Sequence, residues 1–459
     1  MKIKEKNVKI NVIIFLIYIS ISAFLAIKHE PWRDEIHGWL MAKEYSIFEL
    51  FKISRIEGHP ILWHLILMPF AKLNFSVYTL KIINDVIVTA SAGIYWFNNC
   101  KKNKIFKIFV LFTVPFMYVY SSFSRNYSLI LLLLVLIACI YNKRKEIPIL
   151  YSVLICFLIH THVMAWGIVA GLTITFHIDE IIKYIKTKER PHNFNKVIIG
   201  FSLIVINTIF IVFELYQISK PYGGYIESFS FEIIFNFIIM FFVLIGIFIL
   251  NIIYKIFNRE FFILLLGYAF MFFVCYFYYS IPLIQRTMLI YMYFLFYINV
   301  IEKGRIGKVN GINKYIKYLI FLYVTFLCIN GINYIDWLVR DINMNFSSAE
   351  EIGNYINDNL PDNVEILTPY LIFTQTIIPY CDSASQYDIV YNYSAYCANN
   401  IPYDYEEVEN AIKDLSMYNN RYIIVTEEWT ELIPDDCLLI YNTSDSIIDE
   451  KYYLYYIDY

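Results

Sequence analysis

The feature that most constrains this chain is a series of long apolar runs separated by short polar loops. The runs fall at about 10–27, 77–97, 105–121, 127–141, 147–160, 163–179, 197–214, 232–254, 261–280, 286–301 and 315–333. A bilayer core takes roughly 20 residues of helix. No water reaches a backbone inside it, so each crossing segment must close its own hydrogen bonds. The pattern therefore predicts a polytopic α-helical membrane protein with about eleven transmembrane helices. Composition agrees, with 59% hydrophobic residues and a mean hydropathy of +0.52. The first run follows a lysine-rich start and lacks a small-residue cleavage site, so it reads as a retained helix and not a signal peptide.

The loops set the orientation. Lys2, Lys4, Lys6 and Lys9 precede the first run, and Lys101, Lys102, Lys104 and Lys107 follow the second. Lys143–Lys145, Lys183–Lys196, Lys255 with Arg259, and Lys303–Lys317 follow the fourth, sixth, eighth and tenth. Basic loops stay cytoplasmic, which places the N-terminus inside and the C-terminus outside. This alternation requires Ile61–Leu73 not to span, and at about 13 residues it is too short. It reads as an interfacial helix with Trp63 and His64 at headgroup level, making residues 28–76 one long external loop.

The net charge of −3 hides an asymmetry: residues 334–459 carry −19 and residues 1–333 carry +16. The division predicts a transmembrane catalytic domain over 1–333 and a small acidic, soluble, extracytoplasmic α/β domain over 334–459. In the latter, Ser347-Ser-Ala-Glu-Glu starts a helix that runs to Asn359 before Pro361, Glu406–Met417 reads as helix, and Val364–Leu367 and Tyr422–Val425 read as buried strands. Nucleic-acid binding is excluded, because the basic residues sit in loops between apolar runs. Eight cysteines include no CxxC pair, which removes a zinc ribbon; one disulfide among Cys381, Cys397 and Cys437 stays open.

The densest polar cluster begins where the first helix leaves the membrane: His29-Glu-Pro-Trp-Arg-Asp34-Glu35-Ile-His37, followed by Glu57-Gly-His59-Pro60. Arg125, His160, His162, Lys220 and Arg286 fall on the same side of the expected topology. Each alone is as readily a solvated or snorkelling helix-end charge, and His160-Thr-His162 lacks the further ligands of a metal site. Together they are more than that, since polar groups at membrane depth are costly and mark sites by default. The chemistry such a set suits is transfer at a lipid-linked phosphate. A carboxylate such as Asp34 serves as general base or holds a divalent cation, Mg or Mn, and arginines hold the phosphate. Tyr391, Tyr393, Tyr396, Tyr403 and Tyr405 of the outer domain are more readily core and surface tyrosines than sugar-stacking ones.

The stretch Glu30-Pro-Trp-Arg-Asp-Glu-Ile-His-Gly-Trp-Leu-Met-Ala-Lys, with Glu57-Gly-His-Pro-Ile-Leu-Trp after it, resembles the GT-C superfamily of integral-membrane glycosyltransferases. It is similar to the branch holding the protein O-mannosyltransferases and the lipid A aminoarabinose transferase. The resemblance implies inverting transfer of a sugar from a polyprenyl-phosphate donor to a glycan, lipid or protein acceptor on the outer face of the cell membrane. It implies Asp34 as catalytic carboxylate with Glu35 beside it, and suggests Arg125 or Arg286 near the donor phosphate; by their chemistry His37, His59, Arg125, His160, His162 and Arg286 are the candidate substrate-binding residues. His59-Pro60 stands where relatives carry a Lys-Pro or similar pair, a departure at a position linked to phosphate. Three other readings stand beside it: a transporter or flippase of lipid-linked sugars, a polysaccharide polymerase or ligase, and a family member turned binding or assembly protein. Neither an inverted repeat nor paired broken helices supports the first. A late large external loop, expected of the second, is missing, and the intact Asp34–Glu35 pair argues against the third.

Overall fold

A computed structural model describes residues 2–57, 59–98, 104–215, 231–254, 259–277, 284–305, 311–369, 374–382, 384–388, 405–413, 415, 418, 420–448 and 450–458. Lys220, Cys397, Tyr391, Tyr393, Tyr396 and Tyr403, with the side chains of Glu57 and Tyr405, lie outside the described part.

The described residues of the eleven apolar runs are helical for the most part, with a break after Leu111 in the third. The first is α1 (Lys2–Lys28), and the loop after it holds three short helices, α2 (Arg33–Glu44), α3 (Ile47–Glu57) and α4 (Leu62–Lys72). There follow α5 (Thr79–Phe97), α6 (Lys104–Leu111), a π turn at Pro115–Val119, α7 (Tyr120–Ser122), α8 (Tyr127–Ile140), α9 (Pro148–Ile159), α10 (Trp166–Thr173) and α11 (Asp179–Thr187). The long helices α12 (Phe194–Leu215), α13 (Phe231–Ile253), α14 (Phe261–Phe277), α15 (Ile284–Arg305) and α16 (Ile312–Asn343) complete the bundle. Among the described residues five helices are long and apolar enough to cross a membrane, or six if the pair bent by 46° at Pro115 is one span. Tyr127–Lys143, Pro148–Ile159, Ile238–Ile253 and Phe261–Cys275 are apolar but shorter. The last helix runs ten residues past 333, because Trp337 and Leu338 still pack on the core and Asp341 is buried.

Helices meet closely where glycine removes a side chain. A Cβ on Gly171 would lie 2.5 Å from Ile263 Cα, and one on Gly167 would lie 2.3 Å from Leu266 O. The Gly167-Ile-Val-Ala-Gly171 stripe thus lets α10 lie backbone to backbone on α14, the small-residue packing that replaces hydrophobic drive between helices in lipid.

The C-terminal part is a five-stranded mixed sheet of order β2-β1-β3-β5-β4. β1 (Val364–Thr368) lies between β2 (Ala384–Asp388) and β3 (Arg421–Thr426), parallel to both; β5 (Tyr452–Ile457) is antiparallel to β3 and to β4 (Cys437–Asn442). α17 (Ala349–Asn359) precedes β1, and α18 (Tyr405–Lys413) precedes β3. Helix 349–359 and both buried strands lie where expected; β2, β4 and β5 are additional. Cys381 and Cys437 are free thiols.

One apolar core runs from the first loop into this sheet. Ile36, Trp39 and Leu40 of α2 and Trp63 and Leu67 of α4 pack with Ile352, Ile356, Ile366, Ile424 and Leu454. Trp63 and His64, expected at headgroup level, lie within this packing. Both are buried, and Trp63 lies against Gly38 of α2, because the apolar face of α4 finds a protein partner there.

Gly171→Val should therefore force α10 from α14 and lower the Tm of the detergent-purified protein, at an overpacking cost of about 1–3 kcal/mol. Gly331→Ala, where a Cβ meets nothing within 4 Å, should hold or raise the Tm. Equal effects of the two would refute the packing argument.

Candidate active site

The site is organised by a buried knot at the foot of α1. His29 is fully buried, with Nδ1 2.8 Å from Asp341 Oδ2 and Nε2 3.1 Å from Glu35 Oε2. Tyr118 donates its hydroxyl to the same Asp341 oxygen at 2.6 Å. Glu35 Oε2 also accepts the Trp32 N–H at 3.3 Å, holding the first turn of α2, and its Oε1 accepts the Ser124 N–H. Every oxygen of Glu35 is thus engaged in the interior. The expectation that Glu35 stands with Asp34 as a reacting group meets this burial: successive residues on a helix face different directions, and Glu35 is the one turned inward.

Asp34 is turned outward, its side chain 28% exposed, and its Oδ2 accepts from Arg125 Nη1. Residues 34 and 35 thus engage residues 125 and 124, so α2 is docked on the turn that starts α8. Burial alone would raise the carboxyl's pKa, but Arg125, then Arg33, Arg286 and His37, outweigh it and hold it below the usual carboxylate range. Asp34 is ionised in the resting site.

A second group adjoins it. His59 and His162 have ring centroids 4.7 Å apart, and Tyr127 lies 4.9 Å from His162 on another side. Arg286 Nε donates to Tyr127 Oη at 3.3 Å, and the Arg125 guanidinium lies 5.9 Å from the Tyr127 ring. Arg125 and Arg286 act electrostatically on both Asp34 and His162, which joins the two groups into one basic site.

Of the residues expected from sequence, Asp34, Arg125, Arg286, His59 and His162 come together here. His37 lies at the edge, its Nδ1 3.0 Å from Gln375 Oε1 of the C-terminal part. His160 departs: its Nε2 is 3.0 Å from Asn207 Oδ1 of α12, with Phe210 beside it. Tyr127, Arg33 and Asp341 were given no role by sequence; Tyr127 stands two residues after Arg125, the one signal available. The surroundings of Asp34 do not suit a divalent cation, since its neighbours are guanidinium groups. Among the described residues no group of three or more His, Cys, Asp or Glu could hold a metal.

The C-terminal part closes over this region through carboxyls. Glu450 accepts the Arg33 N–H at 3.1 Å and the Ser347 hydroxyl at 2.7 Å, and Glu30 accepts the Glu350 N–H at 2.9 Å.

The architecture is a bundle of helices, several of them long and apolar enough to cross a membrane, with a small C-terminal sheet. It is shared with the crystal structure of ArnT from Cupriavidus metallidurans bound to undecaprenyl phosphate, at a TM-score of 0.57 and 9% sequence identity, over 98% of this chain and 97% of that one. The fold implied by the first-loop motif is thus present. No protein-family model matches the sequence, and no curated protein matches it significantly.

Two buried groups predict a pH profile. Burial opposes charge on His29, but Asp341 and Glu35 overcome it and raise its pKa to about 9. Burial pushes Glu450 up to about 7. A histidine raised above its unfolded value of ~6.5 contributes stability that is full below that pH and lost as pH rises to about 9. A carboxyl raised from ~4.3 has the same sign one window lower, because the folded state binds its proton more tightly. The Tm in detergent should fall from pH 5 to 9, with Glu450→Gln flattening the lower part of the slope and His29→Gln the upper. A profile unchanged in slope by both variants would refute the assignment.

Proposed function

We propose that this chain is an integral-membrane glycosyltransferase. It moves a sugar from a polyprenyl-phosphate donor to an acceptor hydroxyl on the extracytoplasmic face, with inversion and with Asp34 as the catalytic carboxylate. The observation that carries the reading is the ion pair of Asp34 with Arg125, part exposed, beside Arg286. An ionised base and anion-binding arginines stand together at the end of the first membrane helix. The fold it shares with a protein captured with undecaprenyl phosphate supports a polyprenyl-linked donor.

In this reading the arginines hold the donor phosphate, matching its charge as it leaves. The acceptor oxygen attacks the anomeric carbon from the opposite face. Its proton passes to Asp34, and the bond from that carbon to the phosphate oxygen breaks. The low pKa of Asp34 makes it a weak base while Arg125 is paired with it. A phosphate that draws Arg125 away removes that restraint, so base strength rises only when the donor is bound. Glu35 in this reading is a positioning residue that fixes α2 on the 124–125 turn. In this reading the N-terminus is cytoplasmic, which the basic loops support, and the domain from about 334 onward lies outside, over the site.

The test is transfer of radiolabelled sugar from a panel of polyprenyl-phosphate sugars in proteoliposomes. Asp34→Asn should lower turnover by on the order of 10²-fold or more with donor binding retained, the loss expected for removal of a general base. Wild-type turnover in Asp34→Asn would sink the assignment. Lipid-linked sugar crossing to the opposite leaflet without transfer to any acceptor would replace it with a transporter.

A further inference from the structure

Tyr127 opens α8 and is 1% exposed. Its hydrogen can be placed from its neighbours. His162 Nδ1 accepts the backbone N–H of Met164 at 3.1 Å, so that nitrogen offers a lone pair and carries no hydrogen. A neutral imidazole must then hold its hydrogen on Nε2. Burial, followed by the charges of His59, Arg286 and Arg125, holds the pKa of His162 well below the ordinary histidine value, so the ring is neutral. Nε2 lies 3.2 Å from Tyr127 Oη, and the Nε2–H therefore donates to the phenol. Arg286 Nε–H donates to the same oxygen at 3.3 Å.

A phenol oxygen that accepts twice has only its own O–H left to place. Among the described residues Tyr127 makes no further hydrogen bond. Its hydrogen is a buried donor that meets no acceptor among the described residues, beside Arg286 and with Arg125 over the ring. Such a donor is unfavourable unless a ligand supplies the acceptor. A surrounding of donors and positive charge selects an acceptor-only, anionic ligand.

We infer that Tyr127 donates its phenolic hydrogen to an anionic oxygen of a bound phosphate group, and that His162 is the positioning residue that turns that hydrogen toward the ligand. The phosphate chemistry follows from this geometry alone; that the phosphate is the donor's leaving group rests on the proposed function. A lipid phosphate head and free phosphate share that chemistry, and the experiment separates them.

Binding to the purified full-length protein is measured with a polyprenyl phosphate, the matching polyprenol and inorganic phosphate. Tyr127→Phe keeps the ring on His162 and removes only the hydroxyl. It should weaken polyprenyl-phosphate binding roughly tenfold or more, the loss typical of one hydrogen bond to a charged group, and leave polyprenol binding unchanged. His162→Gln, which keeps an N–H near Tyr127, should bind close to wild type, and His162→Phe should weaken binding as Tyr127→Phe does. The double variant Tyr127→Phe/His162→Phe should be no weaker than Tyr127→Phe, because the two act through one hydrogen. Protection of wild type but not Tyr127→Phe by inorganic phosphate would assign the site to the bare anion as well; response to the lipid alone would assign it to the headgroup. Unchanged phosphate binding in Tyr127→Phe, or equal loss of phosphate and alcohol, would overturn the inference. Transfer abolished by Asp34→Asn while Tyr127→Phe binds normally would leave the transferase standing without this site. Tyr127-dependent phosphate binding without transfer from any donor would do the reverse.

Discussion

Everything in the candidate site depends on one buried imidazole held between two carboxylates. His29 ends the first membrane helix, Glu35 lies on α2 and Asp341 on the last long helix, so a single side chain ties together segments more than 300 residues apart. Stripping such charges of water is costly, and it is repaid only when partners and hydrogen bonds are all in place. Tyr118 and His29 share Oδ2 of Asp341, whose Oδ1 has no hydrogen-bond partner among the described residues, and Ser124 and Trp32 complete Glu35. Phe123 and Phe346 flank the ring and keep solvent away. The geometry tolerates little slack, because a knot missing one partner leaves an unpaired charge in the interior. That rigidity passes directly to Asp34, the next residue to Glu35.

The knot also explains why the C-terminal sheet belongs to the candidate site. Asp341 brings the end of α16 onto α2, and the chain then turns into α17 and the sheet, whose apolar face joins the core of α2 and α4. The acidic character of this part is used at the contact. Glu450 and Glu30 accept backbone N–H groups across it. His37 reaches Gln375 on the other side of Asp34. The sheet and the first loop are one packed unit, so a movement of either would move the carboxylate.

The site divides its charges by task. Asp34 is an accessible carboxylate kept ionised by guanidinium groups, while the cluster of His59, His162, Tyr127 and Arg286 presents donors. Arg125 belongs to both, pairing with the carboxylate while lying over the Tyr127 ring. An anion entering the second cluster competes for the same arginine. On the proposed function, donor binding and the strength of the base would be coupled by simple electrostatics, with no need for a large conformational change.

The sequence by itself determined the solvent of the chain and the kind of element it forms. Runs of apolar residues with no water to satisfy their backbone must be helical, and their described residues are so for the most part. The helix stop at Pro361 and the hydrophobic strands 364–367 and 422–425 were legible for similar local reasons. The polar cluster at 29–37 was legible as a site because charge at a membrane boundary is expensive. Strand β5, Tyr-Tyr-Leu-Tyr-Tyr-Ile, was not legible, since tyrosine is at home in core and surface alike and blurs the alternation. Only the tertiary structure decided that Glu35 is an anchor and Asp34 its accessible neighbour, that Arg125 is the partner of Asp34, that His160 turns to Asn207, and that Trp63 meets α2 and not lipid. Each of these is a contact between segments far apart in the chain. Local propensity carries no information about such partners, whose identity is fixed only when packing chooses which polar groups share a dry interior.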